Sequence, residues 1–312
     1  MKRVVSIILT VILLAGIISV PGITASATDI TDIETGTLVT FGSYPQTSVI
    51  DPELLAELNS QPLTWTYYDY YCDGKQEDYM KHADVTLSGE RYRAVTFAHF
   101  RRIYQRDNGY EPDKVYWFRF DPIVWRVLDV NEGLLITENL IDSQPFQNVL
   151  YNGYSDANHE HYASNWAYSS LRTWMNEDFY NTAFDAEKGY INNTPLITLS
   201  SYKSQYNADT TVDKVFPLSY ADVMNTSYGF INDKYVVCVN RIAYGTDYAR
   251  CQGLSVSSST GNLSSGASWW RLRNPVSGSG VRFVSVEGYV NSSYDNTNSV
   301  DGGIRPALKI DL

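Results

Sequence analysis

The stretch VYWFRFDPIVWRVLDVNEGLLITEN, residues 115–139, decides the fold. Large apolar side chains occupy both faces of its central segment. One face carries Ile123, Trp125 and Val127, and the other carries Val124, Leu128 and Val130. A strand that is apolar on both faces is typical of the interior of a sheet. We therefore predict a buried central strand, joined across Asn131-Glu132-Gly133 to a second strand, LLITEN.

The region before this strand pair is predicted to be rich in β structure. Residues 84–97, DVTLSGERYRAVTF, have the pattern of a hairpin that turns at Ser88-Gly89. An earlier strand is predicted over Leu38–Phe41, and the SYPQT segment that follows it is predicted to be a turn. Asp51-Pro52-Glu53 opens a short helix that ends at Asn59, with the aspartate as N-cap and the proline at the first helical position.

The apolar period changes from two to nearly four residues after Asn165, which predicts a helix with one face in the core. The residues at helical spacing are Leu171, Trp174, Met175 and Phe179. Ser169 and Ser170 are the two alternatives for its N-cap. Further short helices are predicted to begin near Asp185, Ser219 and Thr246, the last of them closed by Gly253.

Three strands are predicted to follow the polar loop 255–268: Trp269–Arg273, Val281–Val286 and Ile304–Ile310. Alternation in the first of them, SWWRLRNP, places Trp270 and Leu272 on a core face and the remaining large side chains on the other face. That other face either stacks on a sugar or covers a neighbouring strand through cation–π contact. The candidate ligand-binding residues are Trp269, Arg271, Arg273, Asn274 and Tyr289.

The N-terminal sequence predicts export. Two cations precede an apolar run over residues 4–20, and Ala25-Ser26-Ala27 has the small-x-small pattern of a signal peptidase site. We therefore predict a signal peptide over residues 1–27 and a secreted or cell-surface protein. An uncleaved anchor is the alternative, but Pro21 ends the apolar run at a short length for a membrane span. The C-terminal RPALKIDL has no hydrophobic tail, so we expect no stable membrane anchor after cleavage.

Composition restricts the class of partner. The net charge is −11, and it becomes −13 without the leader, which carries Lys2 and Arg3. Nucleic acid is not expected as a partner, because phosphate binding requires a basic surface. Aromatic residues make up 14% of the chain and charged residues only 19%. This composition suits an extracellular binding surface, and it equally suits ordinary β structure with many edges.

The sequence contains no recognised catalytic signature. A Gly-x-Ser-x-Gly elbow, a paired zinc spacing and a Gly-rich phosphate loop are all absent. The 35 acidic residues make close carboxylate pairs inevitable, so such pairs do not by themselves indicate a glycosidase. The cysteines are Cys72, Cys238 and Cys251. The last two are near enough in sequence for a disulfide, which spacing alone leaves open.

Two segments are weak candidates for a metal site. His159 and His161 would share one face of an extended segment, but a third ligand is not identifiable. The loop 291–303 offers Asp295, Asn296, Asn298 and Asp301 for calcium, although Asx-rich turns form without any ion. We therefore expect no cofactor, with calcium as the weak alternative.

Several motifs are familiar in combination: FGSYPQT, GERYRAVTF, LITENLIDSQPF, SSLRTWMNEDFYNTAF, SWWRLRNP and GGIRPALKIDL. In this order they resemble an uncharacterised family of bacterial secreted proteins, domain of unknown function 6273. The resemblance runs along nearly the whole mature chain. It implies no known activity.

The C-terminal third is also similar to the C-type-lectin-like fold of formylglycine-generating enzymes and bacterial receptor-binding proteins. The resemblance lies in a Trp-rich strand, a hairpin and a closing Gly303-Ile304-Arg305. It implies that the first and last strands pair and that a polar loop displays variable residues. The copper-binding cysteines of those enzymes have no counterpart here. Glu111-Pro112-Asp113 also lacks the partner motif of calcium-dependent lectins.

We therefore predict an α+β fold: a C-type-lectin-like mixed sheet with short helices, elaborated by a β-rich N-terminal region. Residues 28–120 form that region and residues 121–312 the lectin-like part of one domain. The expected function is non-enzymatic binding of a glycan or a surface protein. An extracellular hydrolase that uses acidic residues and an envelope scaffold without a ligand are the alternatives.

Overall fold

The computed structural model describes residues 33–68, 80–100, 103–291 and 293–311. The predicted signal peptide and Cys72 lie outside these residues. Within them the chain is α+β, with two main sheets, two short strand pairs and several short helices. No helix in the described ranges has the length and apolar character needed to cross a membrane.

The strands divide into a larger sheet, a smaller sheet and two pairs. The larger sheet contains β1 (Leu38–Ser48), β2 (Thr66–Tyr67), β3 (Met80–Leu87), β4 (Glu90–Phe97), β5 (Tyr116–Asp129), β6 (Leu134–Thr137), β10 (Val215–Pro217) and β17 (Pro306–Lys309). The smaller sheet contains β7 (Asp142–Ser143), β13 (Trp270–Ser277), β14 (Gly280–Val284), β15 (Asp295–Asn296) and β16 (Gly303–Ile304). The pairs are β8 (Thr194–Leu196) with β9 (Thr211–Asp213) and β11 (Ala243–Tyr244) with β12 (Ala267–Ser268).

The helices are all short. They are α1 (Pro52–Asn59), α2 (Ile103–Asp107), α3 (Ser170–Trp174), α4 (Tyr180–Ala183), α5 (Tyr220–Val223) and α6 (Asp247–Cys251). A π-helical turn over Met175–Phe179 joins α3 to α4, so residues 170–183 form one helix. Single 3-10 turns cover Trp166–Tyr168, Ala186–Tyr190, Ser204–Tyr206, Thr226–Tyr228 and Val239–Arg241.

Strand β5 organises the larger sheet, as its sequence predicts. Strand β1 pairs antiparallel along its middle, β4 pairs with its N-terminal part and β6 with its C-terminal part. Ile123, Trp125 and Val127 are fully buried, and Trp125 donates its indole N–H to the carbonyl of Phe41 at 2.7 Å. The prediction of a central strand is confirmed. Strands β17 and β10 continue the sheet beyond β6.

The predicted hairpin is confirmed as β3 and β4. Ser88 and Gly89 have φ angles of 53° and 88°, which is the left-handed geometry that a two-residue hairpin turn requires. The register that follows from this turn places Asp84 directly opposite Arg93. On the other face of the hairpin, α1 covers a small apolar cluster that includes Leu58 and Trp117.

The local signals for helix ends are also confirmed. The Asp51 carboxylate accepts a hydrogen bond from the backbone N–H of Leu54 at 2.9 Å, and α1 ends at Asn59 as predicted. Ser169, and not Ser170, caps α3 by accepting from the N–H of Arg172. The predicted core-facing residues Leu171, Trp174, Met175 and Phe179 are all buried.

Two predictions about strands are wrong. SYPQT is not a turn, because β1 continues through it to Ser48 and absorbs two register shifts against β5. The predicted strand Ile304–Ile310 is divided between β16 in the smaller sheet and β17 in the larger one. Buried Arg305 lies at the division and donates to the carbonyl of Thr137 at 2.8 Å. Burial lowers the pKa of Arg305 to about 10.

The first and last strands of the described residues do not pair with each other. Strand β1 pairs with β5, whereas β17 pairs with β6 and β10. The predicted divide between residues 120 and 121 falls inside β5, which runs without interruption from Tyr116 to Asp129. The fold class at the level of α+β is confirmed.

Candidate functional site

A cleft of about 610 Å³ opens where β1 and the β3–β4 hairpin face the helix 170–183. We call it the Arg93 cleft. Its lining residues are Tyr44, Thr66, Tyr67, Tyr68, His82, Arg93, Gln144, Asn148, Ser170, Thr173, Trp174, Asp178 and Thr182. None of the ligand-binding residues predicted from the sequence lies in this lining.

The centre of the cleft is an arginine–aspartate pair on the hairpin. Arg93 donates its Nε and Nη2 hydrogens to the two carboxylate oxygens of Asp84, at 2.6 and 2.7 Å. Its guanidinium lies 5.5 Å from the ring of Phe120 and 5.8 Å from that of Tyr44. Burial alone would raise the pKa of Asp84, but the hydrogen bonds from Arg93 and the nearby His82 lower it. The pair is therefore ionised and balances its own charge.

His82 lies beside this pair. Its Nδ1 is 3.9 Å from the nearest Asp84 oxygen, and its ring lies 4.6 Å from that of Tyr68. Burial and the positive charge of Arg93 lower the pKa of His82, so the imidazole is neutral at neutral pH. Its Nδ1 is buried and has no hydrogen-bond partner among the described residues.

Aromatic side chains form much of the wall. Tyr44 donates its hydroxyl to Asp142 at 3.2 Å and lies edge-on to Trp174, with ring centroids 6.5 Å apart. The hydroxyls of Tyr68 and Tyr248 share a hydrogen bond of 2.7 Å. Tyr67 is 49% exposed at the rim. The cleft thus combines fixed rings in its depth with an accessible ring at its mouth.

The helix 170–183 turns two of its sides to different environments. Met175 and Phe179 pack in the core, while Thr173, Trp174 and Asp178 line the cleft. The π-helical turn over Met175–Phe179 falls within this segment, and such turns are frequent at functional sites. Asp178, predicted to lie on the solvent side, is exposed at the cleft.

Gln144 is the most unusual residue of the lining. It follows β7 and is only 3% exposed, yet its side-chain Nε2 has no hydrogen-bond partner within the described ranges. A buried amide N–H that bonds to nothing is costly, and such groups in native proteins are rare. Gln144 lies in the wall of the Arg93 cleft.

The structure gives a clear position to the predicted SWWRLRNP strand. Trp270 and Leu272 are fully buried, as predicted, and Trp270 donates its indole N–H to the carbonyl of Arg241 at 2.8 Å. Arg271 is 1% exposed and lies against the ring of Trp269 at 4.7 Å. This cation–π contact lies within the SWWRLRNP segment and not between neighbouring strands. Trp269 itself is partly exposed.

The other predicted ligand-binding residues do not gather around Trp269. Arg273 donates to the carbonyl of Pro217 at 2.8 Å, and Asn274 donates to that of Leu199 at 2.7 Å. Both side chains are buried and join β13 to neighbouring segments. Tyr289 is partly exposed in the turn after β14 and does not line the pocket beside Trp269. Three of the five candidate residues, Arg271, Arg273 and Asn274, are therefore buried, and ligand binding by the set stays a prediction.

The structure also describes the residues considered above for a disulfide and for a metal site. Cys238 and Cys251 are free and buried, so they do not form a disulfide, and burial raises the pKa of the Cys251 thiol. Across the described ranges, no three His, Cys, Asp or Glu side chains are arranged to hold a metal ion. His159 stacks on Tyr154 at 4.7 Å. Asp295 of the predicted calcium loop pairs with Arg271 at 2.8 Å.

Sequence reasoning missed the Arg93 cleft, although one signal for its centre was present. A two-residue turn at Ser88-Gly89 fixes the pairing of every residue in the hairpin, and counting outward places Asp84 opposite Arg93. Gln144 and Trp174 come from distant parts of the chain. No pattern in the sequence brings them to the hairpin.

Comparisons with known proteins give a family and no activity. The family model described as domain of unknown function (DUF6273) matches residues 131–312, more than half of the chain. The match begins just after β5, so the motifs FGSYPQT and GERYRAVTF lie outside it, as do β1 to β5. No curated protein and no solved structure matches the chain.

Proposed function

The chain belongs to the DUF6273 family, and we propose that it is a non-enzymatic, extracellular protein that binds a neutral glycan in the Arg93 cleft. The observation that carries the proposal is the composition of the lining, where aromatic rings lie beside Gln144, whose buried Nε2 has no hydrogen-bond partner in the described chain.

The chemistry of the lining suits a sugar. A pyranose ring has apolar C–H faces and a rim of hydroxyl groups, so it requires aromatic surface and hydrogen-bonding groups side by side. Tyr67 and Trp174 supply the first, and Gln144 and Thr173 supply the second. The volume of about 610 Å³ falls in the range of small-molecule sites.

The charge of the lining favours a neutral ligand. The Arg93–Asp84 pair is compensated internally, and His82 is neutral at neutral pH because its pKa is lowered. Asp178 is the acidic residue in the lining. A polyanionic glycan would face this carboxylate without a cation available to pair with it, because Arg93 is committed to Asp84.

The pairing of Asp84 with Arg93 also favours binding over hydrolysis. Glycoside hydrolysis needs two carboxyl groups that flank the bond, one of them protonated. Asp84 is held ionised by Arg93, which leaves Asp178 as one acidic group in the lining. The lining therefore offers recognition groups without an acid–base pair.

A titration of the protein with a panel of neutral and acidic oligosaccharides, followed by calorimetry, tests this proposal. We expect saturable binding of a neutral oligosaccharide without cleavage. Tyr67→Ala should weaken it about tenfold, since an aromatic contact contributes on the order of 1 kcal/mol beyond its area. Gln144→Leu, which keeps the volume and removes the donor, should weaken it by a similar factor.

The matched control is Tyr202→Ala, because Tyr202 is 68% exposed and lies outside the cleft. The Tyr202→Ala variant should bind the oligosaccharide with the same affinity as the parent protein. Equal affinities for Tyr67→Ala and Tyr202→Ala, or capture of a surface protein with no glycan bound, would overturn the proposal. Cleavage that is lost on Asp178→Asn would replace binding with hydrolysis.

Two finer assignments accompany this proposal. Export is supported by the signal-peptide pattern of residues 1–27, and an N-terminus at Thr28 in protein recovered from culture medium tests it. A C-type-lectin-like arrangement of residues 121–312 is supported by the β13–β14 hairpin after the polar loop and by the closing strands. An experimental structure compared with known lectin-like folds tests that assignment.

A further inference from the structure

A second, shallower pocket lies on the smaller sheet beside the predicted Trp269 face. Its lining residues are Trp269, Phe283, Ser285, Val286, Tyr294, Asp295, Ser299 and Asp301, and its volume is about 400 Å³. We call it the Trp269 pocket. Three of its eight lining residues are aromatic and two are acidic, a composition that differs from that of the Arg93 cleft.

The rings of this pocket are held in place by close packing. Trp269 and Phe283 meet edge to face, with centroids 5.4 Å apart. Trp269 rests against Gly302, where a Cβ atom would lie 2.4 Å from the indole ring. Tyr294 rests in the same way on Gly280, where a Cβ atom would lie 2.3 Å from the phenol ring. Two glycines thus allow the rings to lie directly on the backbone.

The arginine beside the pocket, Arg271, is buried behind the Trp269 ring and does not line the pocket. Arg271 is almost fully buried and lies against Trp269, so the exposed part of the indole faces solvent and not the guanidinium. The Nη2 group of Arg271 donates to the Asp295 carboxylate at 2.8 Å and to the carbonyl of Ser299 at 2.7 Å. Its Nη1 group donates to the carbonyls of Gln144 and Gly302.

The carboxylates leave the pocket negative. Two acidic side chains, Asp295 and Asp301, line the pocket, and Asp295 pairs with the buried guanidinium of Arg271. Burial raises the pKa of Asp295 even though Arg271 opposes the effect, so this single cation does not fully stabilise the carboxylate. A second positive charge in the pocket would complete the compensation.

We propose that the Trp269 pocket binds a methylated ammonium group, which sits against the rings of Trp269, Phe283 and Tyr294 and is attracted by Asp295 and Asp301. Aromatic rings attract a cation through their quadrupole, and this is the usual way in which proteins recognise quaternary ammonium groups. A primary ammonium group is strongly hydrated and needs hydrogen-bond acceptors, which ring faces do not provide. The site is separate from the Arg93 cleft and does not depend on glycan binding there.

Titration with choline, followed by NMR or calorimetry, tests this inference in the full protein. The matched ligand control is 3,3-dimethylbutan-1-ol, which has the shape of choline without its charge. We expect saturable binding of choline and binding of the neutral alcohol at least about tenfold weaker. Ethanolamine, which carries a primary ammonium, should also bind more weakly than choline.

Variants locate the site. Tyr294→Ala removes a side chain that is 48% exposed, so the protein should still fold, and choline affinity should fall about fivefold or more. Trp269→Ala and Asp301→Asn should also weaken it. Tyr235→Ala is the control, because Tyr235 is 67% exposed and outside the pocket. Glycan affinity should not change in any of these variants, so failure here is distinguishable from failure of the proposed function.

Three results would overturn the inference. One is equal binding of choline and its neutral analogue, because the charge would then contribute nothing. Another is unchanged choline affinity in Tyr294→Ala and Trp269→Ala, which would place the ligand elsewhere. The last is a linear, unsaturable response up to high choline concentration.

Discussion

The Arg93 cleft and the Trp269 pocket each have an arginine–aspartate pair beside them. The two pairs differ in how the arginine divides its hydrogen bonds. Arg93 directs two donors at Asp84, which is 35% exposed and keeps contact with water. Arg271 directs one donor group at Asp295, which is 14% exposed, and also donates to the carbonyls of Gln144, Ser299 and Gly302, while its Nε has no hydrogen-bond partner among the described residues. The pKa of Asp84 is lowered, and that of Asp295 is raised.

The difference shows that an arginine–aspartate pair does not always compensate its own charge to the same extent. Where both partners satisfy each other, as Arg93 and Asp84 do, the pair is a neutral part of the wall, and the ligand contacts that we propose come from neutral groups such as Gln144. Where the arginine is shared among carbonyls, as Arg271 is, it gives the carboxylate one donor instead of two, and the cation that we propose would add the missing positive charge. Gln144 lines the cleft, and its backbone carbonyl accepts a hydrogen bond from Arg271 at 2.8 Å.

Removing each arginine should give the largest contrast. Arg271→Met leaves a buried carboxylate and several carbonyls without their donor, so we expect a loss of about 3–5 kcal/mol in the free energy of unfolding. Arg93→Met leaves a carboxylate that water can reach, so we expect a smaller loss of about 1–3 kcal/mol. Urea denaturation measures both. Arg106→Met, at an exposed ion pair, is the control and should change stability by less than about 0.5 kcal/mol. Equal losses for Arg93 and Arg271 would remove the contrast.

The two aspartates should respond to acid with opposite sign. Because the pKa of Asp84 is lowered by folding, the unfolded chain takes up more protons as the pH falls below the ordinary value of 3.8, and stability is lost. For Asp295 the folded state takes up its proton first, so stability is gained as the pH falls toward 3.8.

Denaturation curves collected from about pH 6 to pH 3 test this difference. Compared with the parent protein, Asp84→Asn should lose stability less steeply with acid, because it lacks the group whose ionised form the fold favours. Asp295→Asn should lose stability more steeply. Slopes that change in the same direction for both variants would contradict the assignment.

His82 should give the smallest effect. The pKa of His82 is lowered from 6.5 in the folded protein, so the unfolded chain binds a proton more readily than the folded chain. The free energy of unfolding therefore falls as the pH drops below about 6.5. His82→Gln should flatten the pH dependence between about pH 7.5 and 5.5. His159→Gln, at an exposed histidine, serves as the control. A steeper dependence in His82→Gln than in the parent would show that protonation of His82 stabilises the fold.

Most of the local structure was predictable. The hairpin at Ser88-Gly89, the cap at Asp51 and the buried face of β5 each depend on residues that are neighbours in sequence. Turn angles, capping hydrogen bonds and apolar period are local properties, so the sequence displays them directly. Even the Asp84–Arg93 pair follows from the turn by counting.

The sites were not predictable in the same way. Alternation along β13 correctly separates Trp270 and Leu272 from Trp269, Arg271 and Arg273, but it does not say what packs on either face. Carbonyls from residues 144, 217 and 302 decide that the arginines are buried. SYPQT became strand because β5 pairs with it across about 75 residues of chain, and that pairing overrides its local preference for a turn.

The sequence by itself determined the elements of this protein: the class α+β, the central strand, the hairpin and the helix ends. These depend on backbone conformation and burial within a few residues. Only the tertiary structure decided that Tyr44, Arg93, Gln144 and Trp174 share one cleft and that Arg271 covers Trp269 from the inside. Those contacts join segments far apart in the chain, and their energies come from burial and charge compensation that no single segment contains.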